Sequence, residues 1–180
     1  MNSESGTTTV AQHEDATRFG VLGGISLAHM LNDMMQSVIV AIYPLLKGDF
    51  HLSFFQVGAI TLTFQLTASL LQPVVGLVTD KRPMPYSLPV GMCFTLAGLG
   101  LLSIAPSYAV LLAAVALIGC GSSVFHPESS RVARLASGGR YGFAQSVFMI
   151  GGNVGSALGP LLACWVVLRH GRGSVGWATL

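Results

Sequence analysis

The chain has 180 residues, 52 % of them hydrophobic and 9 % charged, with a formal net charge of +2. Soluble domains average about 25 % charged residues, so a water-soluble fold is close to excluded. Its 9 Lys and Arg residues are scattered rather than clustered and cannot track a phosphate backbone, which excludes nucleic acid as a partner.

Residues 1–18 are polar and rich in Ser and Thr, the composition of a disordered cytoplasmic leader. The apolar run that follows is longer than a signal-peptide core and lacks a small-residue cleavage site, so it stays as the first helix. Five apolar stretches come in succession, 19–46, 54–79, 86–105, 108–125 and 141–168, and Asp33 is the single formal charge within them. Each is long enough to cross about 30 Å of hydrocarbon at about 1.5 Å per residue. The predicted fold class is an all-α polytopic membrane protein, with five transmembrane helices and the start of a sixth from Ser174. Residues 19–180 read as an incomplete six-helix unit and the chain as an amino-terminal fragment. Short connections make consecutive helices antiparallel neighbours.

A cytoplasmic N-terminus puts Arg18, Lys81, Arg82, Arg131, Arg134 and Arg140 inside and Lys47, Arg169 and Arg172 outside. That asymmetry favours this orientation.

Helix 1 carries the chemistry. His29, Asn32, Asp33 and Gln36 interrupt an apolar run; His29, Asp33 and Gln36 share a face by their three- and four-residue spacing, and Tyr43 continues it. A carboxylate at mid-membrane costs about 2.5–3.5 kcal/mol on insertion scales, so it belongs in a water-filled cavity, in a pair or in a proton relay. Asp33 is the proton-coupling candidate and His29 its companion; the plainer alternative is that both only bond a neighbouring helix. Gln65 and Gln72 on helix 2, and Gln145 and Asn153 on helix 5, form further polar stripes, suited to a substrate cavity or to helix-to-helix hydrogen bonds.

Helix 4 ends in Ser122-Ser123-Val124-Phe125-His126-Pro127-Glu128. Ser123 and His126 do not make a hydrolase: both lie on one helix, and no oxyanion-hole motif accompanies them. Pro127 is expected to kink or break the helix, with His126 left at the cavity and Glu128 paired to Arg131 near the inner face. Gly76, Asp80, Lys81 and Arg134 complete a possible inner-face gating network, in which Gly76 allows close approach and Asp80 caps a helix or pairs with an arginine. Gly151, Gly155 and Gly159, followed by Pro160, form a small-residue stripe of the kind that lets membrane helices touch. Cys93, Cys120 and Cys164 read as packing residues. No metal site or cofactor is read, because no ligand set at metal spacing exists along the chain.

Several of these segments are similar to those of a known family. Gly76-x-x-x-Asp80-Lys81 resembles the loop 2–3 signature of the major facilitator superfamily, with Pro83-Met84-Pro85-Tyr86 in place of that signature's second glycine and basic pair. Gly155-x-x-x-Gly159-Pro160 resembles the antiporter motif of its proton-driven exporters. Leu31-Asn32-Asp33-Met34, Ala41-Ile42-Tyr43-Pro44, Leu71-Gln72-Pro73 and Phe125-His126-Pro127-Glu128-Ser129-Ser130-Arg131 resemble segments of its bacterial inner-membrane drug exporters. The resemblance implies a carrier of about twelve helices in two halves, each built of inverted three-helix repeats around a midplane site. It further implies a small phosphonate antibiotic as substrate, protons as the exchanged ion, the lipid bilayer as surroundings and a C-terminal half as the missing partner. The alternatives are a carrier of another small anion or metabolite, or a small non-transporting membrane protein that associates with other helices.

Overall fold

A computed structural model describes residues 16–82 and 84–179, all helices and connections with no strand among them. The leader, apart from its last three residues, and Pro83 lie outside the described residues. Those last residues are tied down, since Thr17 Oγ1 donates to the Ser137 carbonyl at 2.8 Å and the Arg18 N–H to the Ala136 carbonyl at 2.9 Å.

The first span is bent. α1 (Phe19–Ala41) and α2 (Tyr43–Asp49) meet at 48°, where the apolar pattern predicts one helix over 19–46. Pro44, in the first turn of α2, has no N–H to give to the Val40 carbonyl and its ring crowds that carbonyl, so the helix breaks at Ile42. α3 (Phe54–Lys81) starts on a capping box: Ser53 Oγ accepts from the Gln56 N–H at 3.2 Å, and Gln56 Oε1 accepts from the Ser53 N–H at 2.8 Å. α4 (Ser87–Ile104) and α5 (Tyr108–Leu135) follow, the latter capped by Ser107.

α5 corrects an expectation. It runs unbroken through Pro127 to Leu135, with no break at residue 125. Around the proline, Ser123 Oγ donates to the Cys120 carbonyl, Ser129 Oγ to the Phe125 carbonyl and His126 Nδ1 to the Ser122 carbonyl. These side chains add bonds to carbonyls in the surrounding turns, while the carbonyl that Pro127 deprives of its helical partner is that of Ser123.

Gly138 and Gly139, at φ 56° and 82°, turn the chain into α6 (Tyr141–Leu162). α6 continues through a π turn at Ala163–Val167, soon after Pro160, into a last turn, α7 (Leu168–His170). The start of a sixth helix expected from Ser174 is a 3₁₀ segment, Arg172–Thr179, with Ser174 and Val175 buried.

Packing is reciprocal. α1 pairs with α6 as α3 pairs with α5, while α4 lies between α5 and the 3₁₀ segment. Exchanging residues 19–105 with residues 108–180 maps the first of these pairs onto the second. Two apolar clusters hold the bundle. The larger one gathers around Ile42, Leu46, Ile60, Leu102, Leu111 and Val167, at the end bearing the α2–α3 and α4–α5 turns. The smaller one, with Leu22, Ile25, Ala133, Ala144 and Phe148, lies at the opposite end. Between them is a polar layer. Much of α3 faces outward through Leu62, Leu66, Leu70, Val74 and Leu77. Cys93 and Cys164 are exposed as well, so they are not the packing residues their apolar surroundings suggest.

Candidate functional site

The polar layer exists because α1 and α6 approach closely. A Cβ at Gly151 would strike the Ser26 carbonyl, one at Gly155 the Met30 carbonyl and one at Gly159 the Ser37 hydroxyl. Pro160 lies on the exposed side beyond this stripe. Gly152, beside the stripe, has a different neighbour: a Cβ there would lie 2.6 Å from His29 Nε2 and 2.9 Å from Asp33 Oδ2. The missing side chain is what lets the imidazole and the carboxylate lie against α6.

Three titratable groups meet there. His29 Nε2 is 3.2 Å from Asp33 Oδ2, and His126 Nε2, arriving from α5, is 3.2 Å from Asp33 Oδ1. Asn32 Nδ2 donates to the same Oδ1 at 3.2 Å. Each ring's other nitrogen faces a backbone carbonyl, His29 Nδ1 at 2.9 Å from Phe148 O and His126 Nδ1 at 3.0 Å from Ser122 O. A carbonyl only accepts, so Nδ1 carries hydrogen in both rings and Nε2 is the nitrogen directed at the carboxylate. The His29 ring also stacks on Phe148, centroids 4.0 Å apart and planes at 13°. His29 is therefore fixed, whereas His126 is partly open to a cavity of about 330 Å³ lined also by Gln72, Gln145 and Asn153.

Among the other predicted cavity residues, Gln145 Oε1 accepts from Ser130 Oγ at 3.1 Å, which ties α5 to α6. Gln36 Oε1 accepts from Ser122 Oγ at 3.3 Å, one turn beyond the carboxylate. Asn32 turns towards α4 and a separate pocket with Thr95 and Met92. Tyr43 is remote, its hydroxyl 2.8 Å from Thr61 Oγ1. Gln65 is exposed and does not line the cavity.

The inner-face network forms only in part. Arg131 Nη2 donates to Glu128 Oε2 at 2.7 Å, and Ser87 Oγ reaches the same oxygen at 2.7 Å, so α4 joins α5 there. Asp80 and Lys81 are exposed at the end of α3 and make no ion pair among the described residues. Arg134 instead lies over the Tyr141 ring at 5.4 Å. A Cβ on Gly76 would meet nothing within 4 Å, so the close approach expected at this glycine is not made. Gly152, Ser122 and Ser87 are the partners the pattern does not single out, because each becomes visible only through what it faces on another helix.

A sequence profile of the Major Facilitator Superfamily matches residues 25–180. The chain is 66 % identical over 164 residues to the fosmidomycin resistance protein of Escherichia coli, a match covering 91 % of this chain and 40 % of that protein. It is 44 % identical over 169 residues to the uncharacterized MFS-type transporter YfnC of Bacillus subtilis, covering 94 % of this chain and 41 % of the relative. The chain thus spans about two fifths of the length of the curated relatives it matches.

Proposed function

The chain belongs to the major facilitator superfamily and is a multi-pass membrane protein, and from that premise we propose that it forms the amino-terminal helix bundle of a proton-coupled exporter of small phosphonate antibiotics. The observation that carries the reading is the carboxylate of Asp33 held between two imidazoles at the edge of a cavity in the polar layer. The printed name of the Escherichia coli relative supports fosmidomycin, a phosphonate, as the compound to try first.

In this reading Asp33 exchanges the coupled proton and the histidines take part unequally. His29 and Asp33 are on one helix, so their contact survives any movement between helices. His126 and Asp33 join α5 to α1. With both Nδ1–H groups bonded to carbonyls, the 3.2 Å contact from His126 to Asp33 is attractive only while a proton lies between them. Losing that proton sets lone pair against lone pair and loosens α1 from α5, a coupling of charge to helix movement. Gln72, Gln145 and Asn153 offer uncharged hydrogen bonds to the substrate. A second helix bundle supplies the opposite wall of the cavity and the body against which this one rocks.

The protein sits in the bacterial inner membrane with the N-terminus in the cytoplasm. Gly48 and Met84 are exposed at opposite ends of the bundle. In a background without Cys93, Cys120 and Cys164, Gly48→Cys should react with an impermeant thiol reagent from outside and Met84→Cys only after lysis; the reverse pattern overturns the orientation. The function is tested by expressing the complete reading frame in a fosmidomycin-sensitive bacterium. A several-fold rise in the inhibitory concentration is expected. Good expression without resistance would leave a carrier of another small anion or metabolite.

A further inference from the structure

Asp33 and the two imidazoles beside it have the makings of a metal site, and every ligand comes from this chain. His29 Nε2, His126 Nε2 and an oxygen of Asp33 lie within 4.8 Å of one another, and each imidazole is 3.2 Å from its carboxylate oxygen. An ion held tetrahedrally at about 2.0–2.2 Å sets neighbouring ligand atoms about 3.3 Å apart; each histidine already stands at that distance from a carboxylate oxygen, and the widest separation, up to 4.8 Å, must close through side-chain shifts. The ring tautomers agree with this. Both Nδ1–H groups are bonded to backbone carbonyls, of Phe148 and Ser122, which leaves the two Nε2 lone pairs converging on the carboxylate. A carbonyl or carboxylate behind each ligating histidine is the usual outer shell of a metal centre, fixing both the tautomer and the ring's direction.

The remaining coordination position is available too. The cluster opens on a cavity of about 330 Å³, large enough for water, with the Gln145 and Asn153 side chains on its wall. A set of two imidazoles and one carboxylate suits borderline ions such as Zn²⁺ and Co²⁺, and not Ca²⁺ or Mg²⁺, which need mostly oxygen.

We propose that His29, Asp33 and His126 form a binding site for a divalent transition-metal ion of the zinc or cobalt class. Because two ligands come from α1 and one from α5, a bound ion staples those helices together and holds the bundle in the arrangement described here. The proposal needs only these three side chains and does not depend on what the protein transports.

The experiment is a binding measurement. The tag-free protein, purified from its complete reading frame into lipid nanodiscs and stripped with a chelator, is titrated with Co²⁺ and followed by visible absorption, then back-titrated with Zn²⁺. Saturation at one ion per chain with the intense bands of low coordination number, displaced by Zn²⁺, is expected. His29→Gln, Asp33→Asn and His126→Gln should each weaken binding by at least about ten-fold, while His170→Gln, at the far end of α7, should leave it unchanged. His126→Cys separates lost ligands from lost folding: it should still bind, shift preference towards Cd²⁺ and show thiolate-to-metal charge transfer. The proposal is overturned if no saturable spectrum appears, if any of the three variants binds with undiminished affinity, or if His126→Cys fails to bind while remaining folded.

Discussion

Among the described residues two carboxylates lie inside this bundle, and they differ in the company they keep. Glu128 is the more deeply buried, 2 % exposed, with Oε2 shared by Arg131 and Ser87 at 2.7 Å each and Oε1 without a partner among the described residues. Asp33 is 17 % exposed and faces two imidazoles at 3.2 Å. A guanidinium keeps its proton at any pH a cell reaches, so the Glu128–Arg131 pair is a fixed charge arrangement within α5, to which Ser87 of α4 is bonded. Imidazoles gain and lose protons near neutrality, so the group around Asp33 can change charge where it stands. Depth alone would point to Glu128 as the working acid; the identity of the partners and the adjoining cavity point to Asp33.

The largest separation between the two should come from amide substitutions. Asp33→Asn keeps the shape and removes the exchangeable proton, so concentrative efflux should be lost while the protein accumulates normally. Glu128→Gln should do the opposite, with efflux per folded molecule retained and stability reduced. Efflux driven by an imposed pH gradient, set beside protein level, measures both. An Asp33→Asn carrier with unchanged gradient-driven efflux would make Asp33 as structural as Glu128.

The next effect is on packing beneath the Asp33 layer. Replacing a helical glycine by alanine normally stabilises by roughly 0.5–1 kcal/mol through the helix backbone. At Gly155 the sign should invert, because the new methyl would strike the Met30 carbonyl, a backbone atom that yields only if α1 moves. A loss of about 1–3 kcal/mol is expected for Gly155→Ala. Gly142, on the same helix with nothing within 4 Å of its missing Cβ, should show no loss on the same change. Thermal unfolding in detergent distinguishes them; equal behaviour would mean that α1 and α6 can separate freely.

These contrasts also mark what the amino-acid pattern makes legible. His29 and Asp33 are legible together because they are one helical turn apart, and the glycine stripe because it repeats every four residues. His126 joins them from a distant helix, so the three-group cluster has no signature along the chain, and neither does its capacity for metal. Pro44 and Pro127 show a second limit. Each breaks the backbone pattern equally on paper, yet Pro44 bends its span by 48° and Pro127 leaves α5 intact, where Ser123, His126 and Ser129 bond to their own helix. The two differ in position, Pro44 standing in the first turn of α2 and Pro127 in the interior of α5. The inner-face network forms only in part for a related reason: Asp80, Lys81 and Arg134 carry suitable charges, but among the described residues of that network only Glu128 and Arg131 form an ion pair.

A smaller effect belongs to the Glu128 pair itself. Glu128→Gln removes the charge opposite Arg131 but keeps an amide that can still accept, and Arg131 retains access to water, being 31 % exposed. The loss should be about 2 kcal/mol, within the range for hydrogen bonds to charged groups, and should lower the melting temperature by several degrees. No change in melting temperature would mean that the pair contributes nothing to the stability of the bundle.

The smallest effect expected is that of Ser87→Ala. Ser87 Oγ is 2.7 Å from Glu128 Oε2 and 2.8 Å from the Met84 carbonyl, and it has one hydrogen for two acceptors. The carboxylate is the stronger acceptor and takes it, since a hydrogen bond to an ionised group is about twice as strong as a neutral one. Alanine would remove that bond but leave Arg131 on the same oxygen, so the charge is still paired and the loss should be about 1 kcal/mol. The dependence on Glu128 gives the sharper measurement. If Ser87 acts through the carboxylate, Ser87→Ala in a Glu128→Gln background should cost clearly less than it does alone, a coupling that a double-mutant cycle of melting temperatures reads directly. If the two losses add, Ser87 serves only the Met84 turn, and its bond to Glu128 contributes nothing to holding α4 against α5.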